Sequence, residues 1–206
     1  MHPTERDHDP REHLARDAAC FEVLEAGTAG ETCGVWESPG LAVVVGRFGD
    51  IAREVDEGAC RTDKVPIIRR ISGGGAVVIG PGCLNYSFVL SLDRRPELRG
   101  VDHSYDVILG WVTDALGIPG VRRAGASDLA IGERKIGGSA QRRGRRALLH
   151  HGTILYAFDA ALMERYLKTP PRQPVYRAQR SHRGFVTNAP IEPYFVTTAL
   201  ACCPSA

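Results

Sequence analysis

The sequence predicts an α/β or α+β fold in which a mixed β-sheet is flanked by helices. Short apolar segments typical of strands alternate irregularly with longer segments of helical periodicity. The chain has 206 residues, 43% apolar and 24% charged, which is typical of a soluble domain with a substantial core. No repeat or low-complexity linker divides the sequence. We therefore predict a single domain over residues 1–206, with flexible ends at about 1–9 and 200–206.

Three helices are predicted. In the first, Asp9 suits the N-cap and Pro10 the first turn, and apolar residues recur on one face up to Leu24. The second covers residues 102–117 and ends in a glycine, a residue that commonly stops a helix. The third covers about 159–167, between an aspartate that can cap it and two prolines that end it.

Strands are predicted where apolar and β-branched residues cluster. The run at 41–45 is continuously apolar, as in a strand that is buried on both faces, and 84–92 alternates apolar with polar residues over much of its length. The predicted strands are 41–45, 65–68, 84–92, 128–131, 135–141 and 147–155.

Charge and patterning argue against several classes of protein. A net charge of +2 does not indicate a general nucleic-acid binder. No stretch approaches the about 18 consecutive apolar residues of a membrane span, and the polar N-terminus lacks the apolar core of a secretory signal. We expect a cytoplasmic protein with no membrane or nucleic-acid partner. The six cysteines include no CxxC pair and are expected to be free thiols.

The glycine segment, residues 69–78, gives the strongest local signal. Its three consecutive glycines follow a strand and allow a ligand to approach backbone N–H groups closely. Arg69 and Arg70 add fixed positive charge that suits phosphate or carboxylate. A tight turn between two surface arginines explains a bare glycine run equally well. The P-loop and Rossmann spacings are both missing. The spacing around Asn85 favours a turn residue over a polar group that lines a pocket.

The lysine segment, residues 127–141, places Lys135 between glycine-containing turns. A lysine fixed in this way can contact a carboxylate and a phosphate together. Carboxyl adenylation requires such a cation, because negative charge builds on the α-phosphoryl group. Asp128 can hold Mg²⁺, which prefers oxygen ligands and phosphates. Taken alone, Lys135 fits a solvated strand position better than a functional one, and Asp128 fits a turn or helix cap as well as a metal site.

Three further features have open interpretations. His150 and His151 are neighbours at the start of an apolar run, so their side chains point to opposite faces of a strand and at most one lines a pocket. The arginines within 142–146 fit a solvated hairpin tip better than a docking patch for an acidic partner. The basic segment 172–188, with interleaved aromatic residues, by itself suggests RNA binding.

In combination, these segments resemble the motifs of the lipoate–protein ligase family. The resemblance rests on RRISGGGAV at 69–77, LNYS at 84–87, SDL at 127–129, RKIGGSAQ at 134–141 and HHGT at 150–153. Residues 46–47 and 52–55 also fit, and the match covers roughly residues 10–160. Full-length members carry a C-terminal accessory domain, for which this chain is too short, and some relatives place that domain on a separate chain.

The resemblance implies the biotin/lipoyl ligase fold and a reaction in two steps. Lipoate or octanoate reacts with ATP to give an acyl-adenylate and pyrophosphate, and a lysine of an acidic lipoyl carrier domain then displaces AMP. ATP and Mg²⁺ are the implied cofactors, and a separate accessory-domain chain is a further implied partner. The segment 172–188 is then better explained as a loop that closes over the nucleotide or contacts the acceptor.

Site residues are carried over by motif position. Lys135 is the implied catalytic residue, in contact with the α-phosphate and the acyl carboxylate, and Asp128 is the implied metal ligand. The implied nucleotide-binding residues are Arg70, Gly75, Ala76, Val77, Val78, Asp128 and Lys135. The implied substrate-binding residues are Arg70, Ser72, Gly74, Asn85, Lys135, Gly138, Ser139, Ala140, His151 and Thr153.

An ATP-dependent lipoate–protein ligase is therefore the predicted function, and three different functions stay open beside it. The related octanoyltransferases move octanoyl or lipoyl groups without ATP through a catalytic cysteine. One type has it shortly before the position of Asp128 and another close before the HG motif, and this chain has a cysteine at neither place. A biotin ligase and a non-catalytic module that binds lipoyl domains are the second and third possibilities.

Overall fold

The computed structural model describes residues 9–170 and 173–202. The strands in these residues are β1 (Thr32–Glu37), β2 (Ala42–Val45), β3 (Ile67–Arg69), β4 (Val77–Ile79), β5 (Cys83–Ser91), β6 (Val121–Ala124), β7 (Asp128–Ile131), β8 (Arg134–Arg143) and β9 (Ala147–Leu155). The helices are α1 (Pro10–Glu25), α2 (Ile51–Glu54), α3 (Glu57–Thr62), α4 (Val101–Leu116), α5 (Ala161–Tyr166), α6 (His182–Phe185) and α7 (Pro193–Cys202).

Within the described residues, the strands form a large and a small sheet. The large sheet has the order β1-β5-β9-β8-β7-β6, and all of its neighbouring strands are antiparallel. The small sheet has the order β3-β2-β4, with β2 parallel to β3 and antiparallel to β4. The predicted α+β class with flanking helices is confirmed, and the mixed pairing lies in the small sheet.

The large sheet is covered on both faces. Apolar residues of β5 and β9 on one face pack against α4, for example Phe88 and Leu148 against Ile108. The opposite face packs against α1, where Val89 and Phe21 belong to one buried cluster. Every residue of β5 is buried in consequence. Burying such side chains is worth about 1.5–3 kcal/mol each relative to exposure, so both interfaces contribute to the stability of the domain.

The three predicted helices are confirmed, although α5 already ends at Tyr166, before Pro170, and Pro171 lies outside the described residues. The Asp9 carboxylate accepts a hydrogen bond from the Arg11 backbone N–H at 2.8 Å at the start of α1. At the end of α4, Gly117 adopts the left-handed conformation with φ of 62°, which costs glycine little. The Asp159 carboxylate accepts from the Ala161 N–H at 2.9 Å, so it stabilises the start of α5.

The buried face of α1 differs from the predicted one. The sequence predicts an apolar stripe of Leu14, Ala18, Phe21 and Leu24. In the structure, Leu14 and Ala18 are only half-buried, whereas His13 and Asp17 are buried. Because the His13 ring stacks on Trp36 at 4.2 Å and Asp17 contacts His151, polar partners in the core decide this face.

Several elements were not predicted. β1, β4, β6 and α7 lack a clear periodic pattern, and the strand predicted at 65–68 begins only at Ile67. The predicted flexible ends lie largely in residues 1–8 and 203–206, outside the described part. Leu200 is an exception, because it is fully buried in α7. Cys20, Cys33, Cys60 and Cys83 are free thiols, as expected.

A search of the described residues for a helix long and apolar enough to span a bilayer finds none.

Two glycine substitutions test this fold in opposite directions. Gly82 has a φ of 83°, and a Cβ there would overlap the backbone carbonyl of Ala157. We expect Gly82→Ala to lower the free energy of unfolding by about 2 kcal/mol or more. Gly110 lies inside α4, where an added methyl group would meet no neighbouring side chain within 4 Å, so Gly110→Ala should raise it by up to about 1 kcal/mol. Urea unfolding measures both, and equal effects would contradict the described backbone.

Candidate functional site

A cavity of about 340 Å³ lies between the small sheet and the face of the large sheet that α1 partly covers. That volume falls in the range of about 300–1,000 Å³ that is usual for small-molecule sites. The predicted site residues that line it are Arg70, Gly74, Gly75, Ala76, Val77, Val78, Asn85, Asp128, Lys135, Gly138, Ser139, Ala140, His151 and Thr153. Ser72 is the exception, since it is fully buried behind the wall.

The buried Arg70 side chain holds the backbone of the glycine segment through hydrogen bonds. Its Nη2 donates to the carbonyl oxygens of Gly73 at 2.7 Å and Gly75 at 2.8 Å, and its Nη1 donates to Val44 O at 3.1 Å. The side chain is only 7% exposed, and burial lowers the pKa of Arg70 to about 10, which keeps it charged at neutral pH. Gly74 has a φ of 88°. Arg70 therefore uses most of its donors to hold this glycine backbone in shape.

A resident carboxylate binds the next backbone amide. Glu54 of α2 accepts a hydrogen bond from the Ala76 N–H at 2.6 Å through Oε2. Its other oxygen accepts from the Asp50 N–H at 3.1 Å. Glu54 was not among the predicted site residues, although it lies in the 52–55 stretch that fits the family pattern. The Ala76 amide is thus already occupied by an anion of the chain itself.

Ser72, His151 and Asp17 form a buried hydrogen-bonded chain. His151 Nε2 lies 2.6 Å from Ser72 Oγ, and His151 Nδ1 lies 3.2 Å from an Asp17 carboxylate oxygen. The same order of groups occurs in serine hydrolases. Here, however, the Ser72 side chain is fully buried and its Oγ also accepts from Arg70 Nε at 3.0 Å. The chain of groups therefore fixes the cavity wall rather than presenting a nucleophile.

The two adjacent histidines point to opposite faces, as predicted. His151 lines the cavity, whereas His150 is fully buried on the α4 side of the sheet. Burial lowers the pKa of His150 to about 3, so this imidazole is neutral at physiological pH. Its Nδ1 lies 3.1 Å from Gln141 Nε2, and Tyr105 packs edge-on against the ring. His150 is therefore structural.

Lys135 projects into the cavity beside one carboxylate. Its Nζ donates to Asp128 Oδ1 at 2.6 Å, and the second oxygen of Asp128 accepts from the Tyr176 hydroxyl at 2.7 Å. The lysine side chain crosses Gly138, where a Cβ would lie 2.6 Å from Nζ. Burial and the neighbouring Asp128 carboxylate raise the pKa of Tyr176, so its hydroxyl remains a donor. Gly138 leaves room for the lysine side chain, and the Asp128 carboxylate holds the Lys135 ammonium group in position.

The covering segment, residues 173–188, closes one side of the cavity. It contacts β8 through its backbone. Val186 forms a parallel bridge with Lys135, and the Thr187 N–H donates to the Lys135 carbonyl at 2.8 Å. Arg134 donates to Val186 O at 2.6 Å. Arg177 and His182 of this segment line the cavity. The sequence indicated Arg177 and His182 only through the basic character of the segment 172–188. Residue 172 lies outside the described residues.

Asp128 is the one metal ligand that the sequence predicts. No group of three or more His, Cys, Asp or Glu side chains suited to a metal ion occurs among residues 9–170 and 173–202. Asp128 lines the cavity, and both of its oxygens accept hydrogen bonds. The arginine-rich tip at 142–146 lies away from the cavity, where the Glu25 carboxylate accepts from the backbone N–H groups of Arg145 and Arg146.

Comparison with solved structures confirms the fold. A lipoate–protein ligase A bound with ATP is 26% identical, with a TM-score of 0.80 over 96% of this chain and 80% of that one. A candidate lipoate–protein ligase from Thermoplasma acidophilum with bound lipoic acid is 26% identical, with a TM-score of 0.76 over 93% and 78%. The bi-partite lipoate–protein ligase of T. acidophilum, described with its E2 lipoyl domain, is 24% identical, with a TM-score of 0.78 over 95% and 77%.

Sequence comparison agrees with this result. A candidate lipoate–protein ligase A of Aeropyrum pernix is 33% identical over 188 residues, which cover 89% of this chain. The match spans 65% of that relative's length. The family model of the lipoyl protein ligase A/B catalytic domain matches residues 9–192. The chain therefore belongs to the lipoyl protein ligase A/B catalytic domain family.

Proposed function

We propose that this domain is an ATP-dependent lipoate–protein ligase that forms an acyl-adenylate and transfers the acyl group to a lysine of a carrier domain. The observation that carries the proposal is the position of Lys135. Its ammonium group lies in a cavity that also contains the glycine segment and the apolar residues Trp36, Val44 and Leu155. One cation is thus within reach of both a nucleotide and an aliphatic acid.

In the first proposed step, the acyl carboxylate attacks the α-phosphorus of ATP. A P–O bond forms to the acid, the bond to the β-phosphate breaks, and pyrophosphate leaves with its electron pair. Lys135 stabilises the negative charge that builds on the α-phosphoryl oxygens and orients the carboxylate. Because Lys135 is paired with Asp128 at 2.6 Å in the described state, substrates must share or replace that partner.

In the second step, the amine of an acceptor lysine attacks the acyl carbonyl carbon. The C–N bond forms as the bond to AMP breaks, and the amine loses its proton to solvent. Protection of the reactive adenylate from water is proposed to come from the covering segment, which lies along one side of the cavity. The covering segment contributes to this protection through Arg177 and His182.

Asp128 is the proposed Mg²⁺ ligand. Mg²⁺ commonly binds one or two carboxylates together with water and substrate phosphates, so the Asp128 carboxylate beside Lys135 suits this ion. When bound, Mg²⁺ would neutralise charge on the phosphates. Tyr176 and Lys135 would then have to adjust, because each now donates to an Asp128 oxygen.

The acceptor is proposed to be an acidic lipoyl carrier domain. The fold neighbour from T. acidophilum, described together with its E2 lipoyl domain, supports this class of partner. The separate accessory chain and the cytoplasmic location expected from the sequence stay predictions.

The ATP-independent transferase is less well supported because it needs a reactive thiol. Cys83 is fully buried, and burial raises its pKa to about 12. Burial also raises the pKa of Cys60. No cysteine of the described chain lines the cavity. A thiolate nucleophile is therefore missing from this part of the site.

The proposed function is tested by pyrophosphate release from ATP and Mg²⁺ with lipoate, octanoate or biotin as the acid. We expect release that depends on lipoate or octanoate, because the cavity wall is largely apolar. Release with biotin alone would identify a biotin ligase. Acyl transfer from a carrier protein in nucleotide-free buffer would instead support the transferase, and carrier binding without turnover a non-catalytic module.

Lys135 is tested by Lys135→Ala in the same assay. Loss of the fixed cation should reduce acid-dependent pyrophosphate release by about 100-fold or more, in line with the loss of other charge-stabilising groups. Lys64→Asn is the matched control: it removes an exposed lysine with a φ of 57°, a conformation that asparagine tolerates. An unchanged rate in Lys135→Ala would disprove the assigned role.

A further inference from the structure

Arg177 is a buried cation that lacks an ion-pair partner in the described chain. It lies at the end of a short 3₁₀ turn, Val175–Arg177, is only 5% exposed, and lines the cavity. Its Nε donates to the Arg180 carbonyl at 3.0 Å, and its guanidinium lies 5.0 Å from the Phe185 ring centre. No carboxylate of residues 9–170 or 173–202 lies within 4.0 Å of it. Buried charges are usually paired, so a missing counter-ion points to a ligand.

The surrounding wall carries an excess of positive charge. Asp128 is the acidic neighbour of Arg177, but its oxygens already accept from Lys135 and Tyr176. Lys168 lines the same cavity, and its Nζ donates to a backbone carbonyl, Ala52 O, at 2.7 Å. Four cations (Arg70, Lys135, Lys168 and Arg177) and three carboxylates (Asp17, Glu54 and Asp128) line the cavity, and each carboxylate is already hydrogen-bonded within the protein. A bound anion would balance the remaining positive charge.

The glycine side of the cavity is less able to bind additional anionic groups. Arg70 donates to carbonyls of its own loop, and the Ala76 amide donates to Glu54. A cation on the opposite wall can supply positive charge for a polyphosphate that Arg70, already bonded to its own loop, does not. A guanidinium suits this task, because its N–H groups can bond two phosphate oxygens at once.

We propose that Arg177 is a phosphate-binding residue that holds the β- and γ-phosphates of the nucleotide and the departing pyrophosphate. The proposal rests on the proposed function and adds a residue of the covering segment to its nucleotide site. Lys135 is left to contact the α-phosphate and the acid. Burial lowers the pKa of Arg177, consistent with a cation held without a partner.

Backbone geometry supports a held position for Arg177. The next two residues, Ala178 and Gln179, have φ of 49° and 58°, a left-handed conformation that side chains with a Cβ disfavour. Arg180 maintains it by donating to Tyr176 O at 2.6 Å and Glu133 O at 2.8 Å. Residues with such backbone strain cluster at functional sites, where they help to position a side chain.

The test is calorimetric titration of the full chain with inorganic pyrophosphate. Arg177→Gln should weaken pyrophosphate binding at least tenfold, and Arg177→Lys should recover part of that loss because the charge is kept. Arg183→Gln is the matched control, since it removes an exposed arginine of the same segment. We expect the control to bind like the unmodified protein. Unchanged pyrophosphate affinity in Arg177→Gln would overturn the proposal.

Thermal unfolding separates ligand binding from a purely structural role. Without ligand, Arg177→Gln should have an unchanged or higher Tm, because an uncompensated buried charge is removed. The rise in Tm that pyrophosphate causes should be smaller than in the unmodified protein. A lower Tm in Arg177→Gln, together with normal pyrophosphate affinity, would show that Arg177 only packs against Phe185.

These measurements distinguish a failure of the Arg177 proposal from a failure of the proposed ligase function. Pyrophosphate binding requires no turnover. Binding that depends on Arg177 in a protein that never releases pyrophosphate from ATP would refute the ligase activity alone. Normal acid-dependent turnover with pyrophosphate affinity unaffected in Arg177→Gln would refute the role of Arg177 alone.

Discussion

The cavity depends on the antiparallel register of four neighbouring strands. One row of paired residues crosses the large sheet through Asn85, Thr153, Gly138 and Asp128. Backbone hydrogen bonds set this alignment, and a slip of one residue would turn every side chain in the row to the other face. Glycine at 137 in the adjoining row is required because a Cβ would meet the Thr153 carbonyl. The motif segments act together only because this register holds.

Charged residues of the site divide into those that shape the backbone and those that face the cavity. Arg70 and Glu54 belong to the first group, since their hydrogen bonds go to loop carbonyls and amides. Lys135 and Arg177 belong to the second group, because they line the cavity without bonding to the glycine backbone. The motif resemblance identified Arg70 as a ligand contact from its position beside the glycines. The geometry adds a supporting role that residue type alone does not reveal.

Much of the fold followed from local signals. Capping residues and periodicity identified α1, α4 and α5, and apolar runs identified β2, β5 and β9. Elements with weak local patterns were missed, such as β1 and α7, because their stability comes from contacts with distant segments. Within the site, the glycine and lysine segments were found by motif.

Arg177, Glu54 and Asp17 were missed for a related reason. Each is an ordinary surface residue type, and only the folded chain shows that Arg177 and Asp17 are buried and that Glu54 contacts a distant amide. Asp17 lies outside the predicted apolar stripe of α1, yet it reaches His151 across the core. Contacts between residues far apart in the sequence produce no periodic pattern of residue types, so only the folded structure reveals them.

The hydrogen bond from the Thr187 N–H to the Lys135 carbonyl connects the covering segment to the strand that carries this lysine. If the segment lifts, that bond and the Val186 bridge must break. Access to the cavity and the support of the lysine strand therefore change in one motion. Opening of the covering segment would therefore remove one backbone support from the lysine that lines the cavity, while its ion pair with Asp128 could persist.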